Sequence, residues 1–314
     1  MAGNRGIYLG VMFSGGIERA FKQVRLAFVA GLLLALFAPL RVGAHADMLL
    51  QIDEVSKEIS KDPANAELYL RRSQLRREHA EYETSYADIE KAFFLAPQLP
   101  TIDLMRGRLF LDWGWPLSAR ACLDRFLGRQ PKHVDALVLR ARALSRLNQR
   151  RAAVVDYDLA LKLSTEPGPD LFVERAQLLM TEERAQWAEA VRGLDDGLQR
   201  LGPLVTLQLF AIDAELKLKN YDGALARVDK VAERSPRKET WLARRGEILV
   251  QAGRPDEARR AYESALAALQ TLPPTRRNVP AMQELSKRIQ KQIETLRADG
   301  GSAAGGGIVS PLKP

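Results

Sequence analysis

Six compact residues recur at a near-constant spacing along this chain: Ser85, Ala119, Ala153, Ala190, Ala224 and Ala258, at intervals of 34, 34, 37, 34 and 34. Four residues after each stands a large apolar or aromatic side chain: Ile89, Leu123, Tyr157, Leu194, Val228 and Tyr262. Seven residues after each come Ala92, Phe126, Ala160, Gly197, Val231 and Ala265. Prolines close units at Pro63, Pro97, Pro131 and Pro236, the first three again 34 apart. The clearest copy is Trp241 to Leu266, two helices around a tight turn at Gly253-Arg254-Pro255. Small residues at Gly246, Ala258 and Ala265 let the two helices approach, and Tyr262 follows Ala258 by one turn. Proline ends the second helix because it has no N–H to donate and clashes with the preceding turn. A helix pair of this kind has an apolar face it cannot bury alone, so neighbouring copies must stack on it.

This 34-residue helix–turn–helix unit, with its small, aromatic and terminal-proline positions, resembles the tetratricopeptide repeat family. The resemblance covers residues 66–270, six units. It implies an all-α fold, a right-handed α-solenoid (superhelix) of antiparallel helix pairs with capping helices at both ends. The departures are specific. The first unit has Tyr69 and Ser73 where the family favours Trp and Gly. The second keeps Gly107, Phe110 and Gly114 but has a bulky Phe126 where Ala is usual. The third ends in Thr165, followed by Glu166-Pro167-Gly168-Pro169, which also stops a helix. The fourth is lengthened near Thr181 to Gln186, before Trp187, and the fifth has Ile212 at a small position. Looser helix contact is expected at Phe126 and Ile212.

The flanks read differently. Residues 1–46 carry a positive region (Arg19, Lys22, Arg25), an uncharged run from Leu26 to Leu40 and the small-x-small pattern Ala44-His45-Ala46. This is the pattern of a secretory signal peptide, with the mature chain starting at Asp47. The run is shorter than the ~20 residues a spanning helix needs and contains Pro39. An uncleaved anchor is the alternative, and Met1 and Met12 both remain possible starts. No cysteine near Ala46 offers a lipid site. Residues 47–62 are expected to form an N-terminal capping helix. Residues 280–297 carry Met282, Leu285, Ile289, Ile293 and Leu296 on one stripe, the pattern of a C-terminal solvating helix after a break at Leu272-Pro273-Pro274. Residues 298–314, rich in Gly, Ala and Ser, read as a disordered tail.

Charge and chemistry narrow the function. The chain has 47 basic and 39 acidic residues; without the five basic residues and one acid of residues 1–46 these become 42 and 38, a net +4. So small an excess argues against nucleic-acid binding, which shows a concentrated basic face. Neither His79 nor His133 has a metal-ligand spacing to a cysteine or acid cluster, and His45 sits inside the cleavage pattern. His79 reads as a turn residue and Cys122 as a buried structural thiol. The acid pairs Asp156/Asp158 and Asp195/Asp196 lie on second helices, where acids solvate an outer surface. No glycine-rich phosphate loop follows a strand. These readings point to a chain that is not an enzyme and needs no cofactor or metal.

A surface is what remains. In the family it resembles, the first helices line a concave groove that receives peptides. Carried over, that groove would present Leu70 and Gln74, Leu104 and Arg108, Val138 and Arg142, Val173 and Gln177, Leu209 and Asp213, and Ala243 and Glu247. The family's Lys and Asn clamp for C-terminal carboxylates is missing. Arg108 and Arg142 instead stand at equivalent places, with Arg77 and Arg146 nearby, and guanidinium groups pair bidentately with carboxylates. The groove is thus expected to be basic early and acidic late, its early half receiving an acidic or C-terminal carboxylate segment. The competing reading leaves these arginines solvated, or paired with acids of the stack such as Asp112. Trp113 and Trp115 flank the turn at Gly114, while Trp187 and Trp241 are expected in the core. Taken together, the chain reads as an exported scaffold or adaptor for a protein or peptide partner, periplasmic or secreted, touching a membrane only if its leader stays. The alternatives are a membrane-tethered assembly factor and an accessory subunit of an envelope enzyme.

Overall fold

A computed structural model describes residues 42–181 and 184–304. The apolar run of the leader and residues 305–314 lie outside the described residues, as do Glu182 and Glu183 in the lengthened fourth turn. All regular structure among the described residues is helical: α1 (Val42–Lys61), α2 (Ala66–Glu78), α3 (Tyr82–Leu95), α4 (Thr101–Asp112), α5 (Pro116–Arg129), α6 (Val134–Arg146), α7 (Arg150–Leu163), α8 (Pro169–Leu179), α9 (Arg184–Leu201), α10 (Val205–Lys217), α11 (Tyr221–Arg234), α12 (Lys238–Gln251), α13 (Pro255–Thr271), α14 (Pro274–Arg277) and α15 (Pro280–Ala304). The six units therefore run from α2 to α13 in the expected alternation of first and second helices. The fold is an all-α array of helix pairs. Both ends differ from expectation. α1 begins at Val42 and continues across the expected cleavage point at Ala46. α15 continues to Ala304, so residues 298–304 are helical and not part of a disordered tail.

The turns repeat as faithfully as the helices. Where a first helix hands over to its second, one residue takes a left-handed φ: Ala80 (62°), Gly114 (87°), Asn148 (58°), Lys219 (60°) and Gly253 (69°). The next residue returns its N–H to a carbonyl five positions back: Glu81 to Arg76 and Gln149 to Leu144 at 2.8 Å, Asn220 to Glu215 and Arg254 to Leu249 at 2.9 Å. This is the hydrogen bond that closes a Schellman helix end, and it favours glycine at the left-handed position. Gly114 and Gly253 meet that preference. Ala80, Asn148 and Lys219 hold the same geometry against a steric cost of about 1–2 kcal/mol, less for Asn. Pro at the first position of α5 and α13 presets φ for the second helix.

The helices fall into two compact units, residues 1–113 and 114–314. In the first, Val55 and Ile59 of α1 pack with Tyr69 and Ala92, so α1 covers the apolar face of the first pair. A second cluster there joins Ile89, Ile102 and Leu109 with Trp113 beside it. In the second unit one core runs from Ile212 and Val228 through Ile248 and Tyr262 to Leu285, Ile289 and Ile293 of α15. The expected solvating helix thus buries its stripe on the last pair.

Side-chain size is matched across each pair. At Gly246 a Cβ would lie 2.5 Å from Tyr262 Cε1, so the glycine admits the ring. One pair earlier Ile212 takes the glycine's register and Val228 the tyrosine's, in the same core. The expected looseness at Ile212 and Phe126 is not found. Each is 1% exposed, and the Phe126 ring sits edge-on to His133 with centroids 5.0 Å apart. The added bulk at one position is offset by a smaller partner or an aromatic contact.

Candidate interaction surface

The second helices carry a feature with the period of the fold. Five residues after the small position stands an acid in every unit: Glu90, Asp124, Asp158, Asp195, Asp229 and Glu263. The first helices carry Arg72, Arg106, Arg140, Arg175 and Arg245 at one register, with Ala211 in the fifth unit. In the residues 1–113 unit, Arg106 Nη2 reaches Glu90 at 2.7 Å, and Arg72 holds Asp88 through two hydrogen bonds of 2.9 and 2.6 Å. In the residues 114–314 unit, Arg140 joins Asp124 at 3.0 Å to Asp156 at 2.7 Å, and Arg175 joins Asp158 to Glu189. Arg245 holds Asp229, and Arg297 of α15 reaches Glu263 at 3.5 Å. Ala211 breaks the row, and Arg227 on α11 replaces it by bonding Asp195 at 2.7 and 2.9 Å. Arg106, Arg140, Arg175 and Arg245 tie a first helix to the second helix before it, Arg140 and Arg175 also to their own, while Arg72 holds only its own second helix and Ser56 of α1. Asp156, Asp158 and Asp195 are therefore stack cross-links, not the solvating acids the sequence suggested; the Asp156 side chain is only 5% exposed. The hydrogen bond to Asp156 pushes the Arg140 pKa still higher.

A second row lies on the first helices, where the groove was expected. Gln74, Gln177 and Asp213 are exposed, and Leu209 is 43% exposed. Leu70, Leu104, Arg108 and Val173 are half-buried, and Arg146 is exposed. Val138 and Ala243 are buried, at 7% and 2% exposure, and offer little surface. Of the two readings of the charge, pairing with acids of the stack, Asp112 among them, is the one found for Arg77 and Arg142. Arg77 donates to Asp112 and, at 3.2 Å, to Glu78. Arg142 binds Glu174 bidentately at 2.9 Å and Asp170 at 2.9 Å. That pairing with Glu174 raises the Arg142 pKa, while burial first and then the Glu174 carboxylate raise that of Tyr157, which also donates to Glu174. Late in the row Arg244 reaches Asp213 at 3.4 Å and Glu247 at 3.0 Å, and Arg288 reaches Glu247 at 3.5 Å. The spacing that sets an arginine on one first helix sets a carboxylate on the next, and charge-assisted bonds form between them. An acidic ligand at Arg77 or Arg142 would have to displace these carboxylates.

Other sequence expectations have plain placements. His79 closes α2 and its Nδ1 lies 2.9 Å from Glu81 Oε1, while His133 accepts the Ala136 N–H at the start of α6. Cys122 is buried. Trp113 packs against Tyr82 and Trp115 is 48% exposed. Trp187 and Trp241 are half-buried and not core; Lys217 lies over the Trp187 ring. Among the described residues no three His, Cys, Asp or Glu stand together as metal ligands, and no helix is long and apolar enough to cross a membrane.

Comparison with known proteins agrees with the geometry. A family model described as a tetratricopeptide repeat matches residues 104–171, and one described as a tetratricopeptide repeat-like domain matches residues 169–283. No curated protein matches in sequence. Among solved structures, the C-terminal part of a repeat-containing protein from Cytophaga hutchinsonii is similar in fold, with TM-score 0.59 and 16% identity over 73% of this chain and 93% of that one. A tetratricopeptide repeat protein from Parabacteroides merdae aligns with TM-score 0.48 and 19% identity over 79% of this chain and 94% of that one. Pseudomonas aeruginosa pilF aligns with TM-score 0.47 and 16% identity over 73% of this chain and 99% of that one. The two family models together span more than half of the chain, and the chain belongs to the tetratricopeptide repeat family.

Proposed function

We propose that this chain is an exported, non-catalytic scaffold that binds an extended segment of a partner protein along its first helices. The observation that carries this reading is the recurrent exposure of one register on those helices. Gln74, Gln177 and Asp213 share that register and are exposed, Asp213 with Arg244 beside it, and Leu209 is exposed one turn before Asp213. Repeats of this family serve as protein-interaction scaffolds, and peptides are their common ligands. With Arg77 and Arg142 engaged by carboxylates of the stack, recognition rests on amide and apolar positions more than on net positive charge. The leader directs the chain to a bacterial envelope, and cleavage after Ala46 would leave α1 as Asp47–Lys61. A tethered form and an accessory enzyme subunit are the competing forms of the same scaffold.

Site-specific photo-crosslinking tests the face. A photoreactive residue at Leu209 or Gln177 is expected to trap a partner in envelope extract. The same residue at Val155, exposed on a second helix, is expected to trap none. Equal trapping from both faces would sink the reading. The mass of the native chain tests export, since a protein retaining residues 1–46 contradicts cleavage.

A further inference from the structure

A cleft of about 670 Å³ opens where α9 and α11 end and α10 and α12 begin. Val205, Val231 and the half-buried indole of Trp241 form apolar walls, and Lys230 and Arg234 line the same space. Gln208 lies at its base. This side chain is 8% exposed, and its Oε1 is buried with no hydrogen-bond partner. A buried unpaired carbonyl oxygen is unfavourable and calls for a reason. The neighbouring first helices put apolar residues at that register, Phe172 before and Leu242 after. One unit earlier the equivalent cleft contains the Phe172 ring, with Arg200 over it at 5.7 Å, and measures only about 380 Å³. The cleft that has a carboxamide where its neighbour has a ring is the larger of the two, and the carboxamide lines it. Arg227 is already held by Asp195 and Glu215. Lys230 and Arg234 make no ion pair among the described residues; Asp195 is held by Arg227, and Glu233 also lines the cleft, so the two cations exceed the one remaining acid.

We propose that this cleft binds a short extended peptide segment in which an apolar side chain is followed by a carboxylate. The apolar group rests against Trp241 and Val205, a main-chain N–H donates to Gln208 Oε1, and the carboxylate meets Lys230 and Arg234. The volume falls in the range of small-ligand sites, which combine apolar walls with a few placed polar groups. The site is separate from the exposed first-helix register and stands whether or not that register binds a partner. The carboxylate can be a chain terminus or an acidic side chain, and the two are separable.

The test is titration of the full chain with N-acetyl-alanyl-phenylalanine bearing a free carboxylate. The Trp241 indole N–H is followed by nuclear magnetic resonance and assigned by its loss in Trp241→Phe. A saturable shift at millimolar peptide is expected. Gln208→Leu is expected to raise Tm, since it removes the unpaired oxygen and restores the apolar residue of the neighbouring units, yet weaken binding roughly tenfold. Lys230→Ala with Arg234→Ala is expected to weaken it by a similar factor. The carboxamide-capped peptide should bind worse. N-acetyl-phenylalanyl-glutamyl amide should match the free acid if side-chain carboxylates serve, and fail if only a terminus does. No shift with either carboxylate peptide, unchanged binding by Gln208→Leu, or a lower Tm for that variant overturns the proposal. A cleft that holds only water gives the first of these results.

Discussion

Tyr262 carries much of what one side chain does in this fold. Its ring occupies the space that Gly246 leaves open, and it is 2% exposed. Burial first, and then the nearby Glu247 carboxylate, push its phenol from the usual 10.0 up to about 12. The neutral phenol is thus favoured in the folded state. Below pH 10 both states hold the proton and the contribution to stability is complete. Between 10 and 12 the unfolded chain releases its proton while the folded one keeps it, so stability falls as pH rises. Urea unfolding at pH 9 and pH 11 should show a smaller loss for Tyr262→Phe than for the unsubstituted chain; identical losses would contradict the assignment. Gly246 and Tyr262 were both legible in the sequence as a small and a large position. That Ile212 and Val228 exchange bulk in the preceding unit was not, since spacing alone does not say which partner yields volume.

At the scale of the helix, the arginine–carboxylate row joins neighbours that apolar packing alone would leave free to slide. Arg140 is the best placed member, bound to Asp156 in its own pair and to Asp124 in the one before. Removing the cation strands a carboxylate that is 5% exposed, and stranding a buried charge is more costly than never having the pair. Arg140→Ala is expected to lower unfolding free energy by roughly 2–4 kcal/mol, and Arg140→Met with Asp156→Leu by much less. Arg245→Ala, whose partner Asp229 is half exposed, should cost under about 1 kcal/mol. Chemical denaturation of the three variants checks this; a double variant at least as destabilised as Arg140→Ala would show that the two residues are not coupled. This row was present in the sequence with the same period as the alanines. The acids at Asp158 and Asp195 read as solvating in the sequence because a charged residue on a helix usually marks its solvated side.

At the scale of the whole molecule, the stability of a repeat array is approximately a sum of local terms, since a repeat packs on its neighbours. α15 ends the second unit by burying Met282, Leu285, Ile289 and Ile293 on the last pair, and α1 does the same for the first with Val55 and Ile59. Deleting residues 280–314 uncovers that apolar face. The truncated chain is expected to lose cooperativity in urea unfolding and to bind a hydrophobic dye, because an uncapped repeat exposes a core surface. Unfolding indistinguishable from the full chain would mean that α15 is not a cap. Which partner meets the first-helix register depends on surface detail that a 34-residue period does not constrain.

The order of the helices, the placement of their turns and the need for caps follow from local rules: small residues where helices cross, proline where they stop, left-handed residues where they turn. Each of these acts within one helix pair, and so a single strand of sequence determines it. What tertiary structure decided is where charges meet. Arg77 and Asp112 are 35 residues apart and Arg142 and Glu174 are 32 apart, and only stacking brings them together and neutralises the groove. The same holds for Gln208, an unremarkable polar residue on an apolar helix until the stack buries its oxygen beside an open cleft. Periodicity reports how often a residue type returns; which side chains face each other across the return is settled by packing.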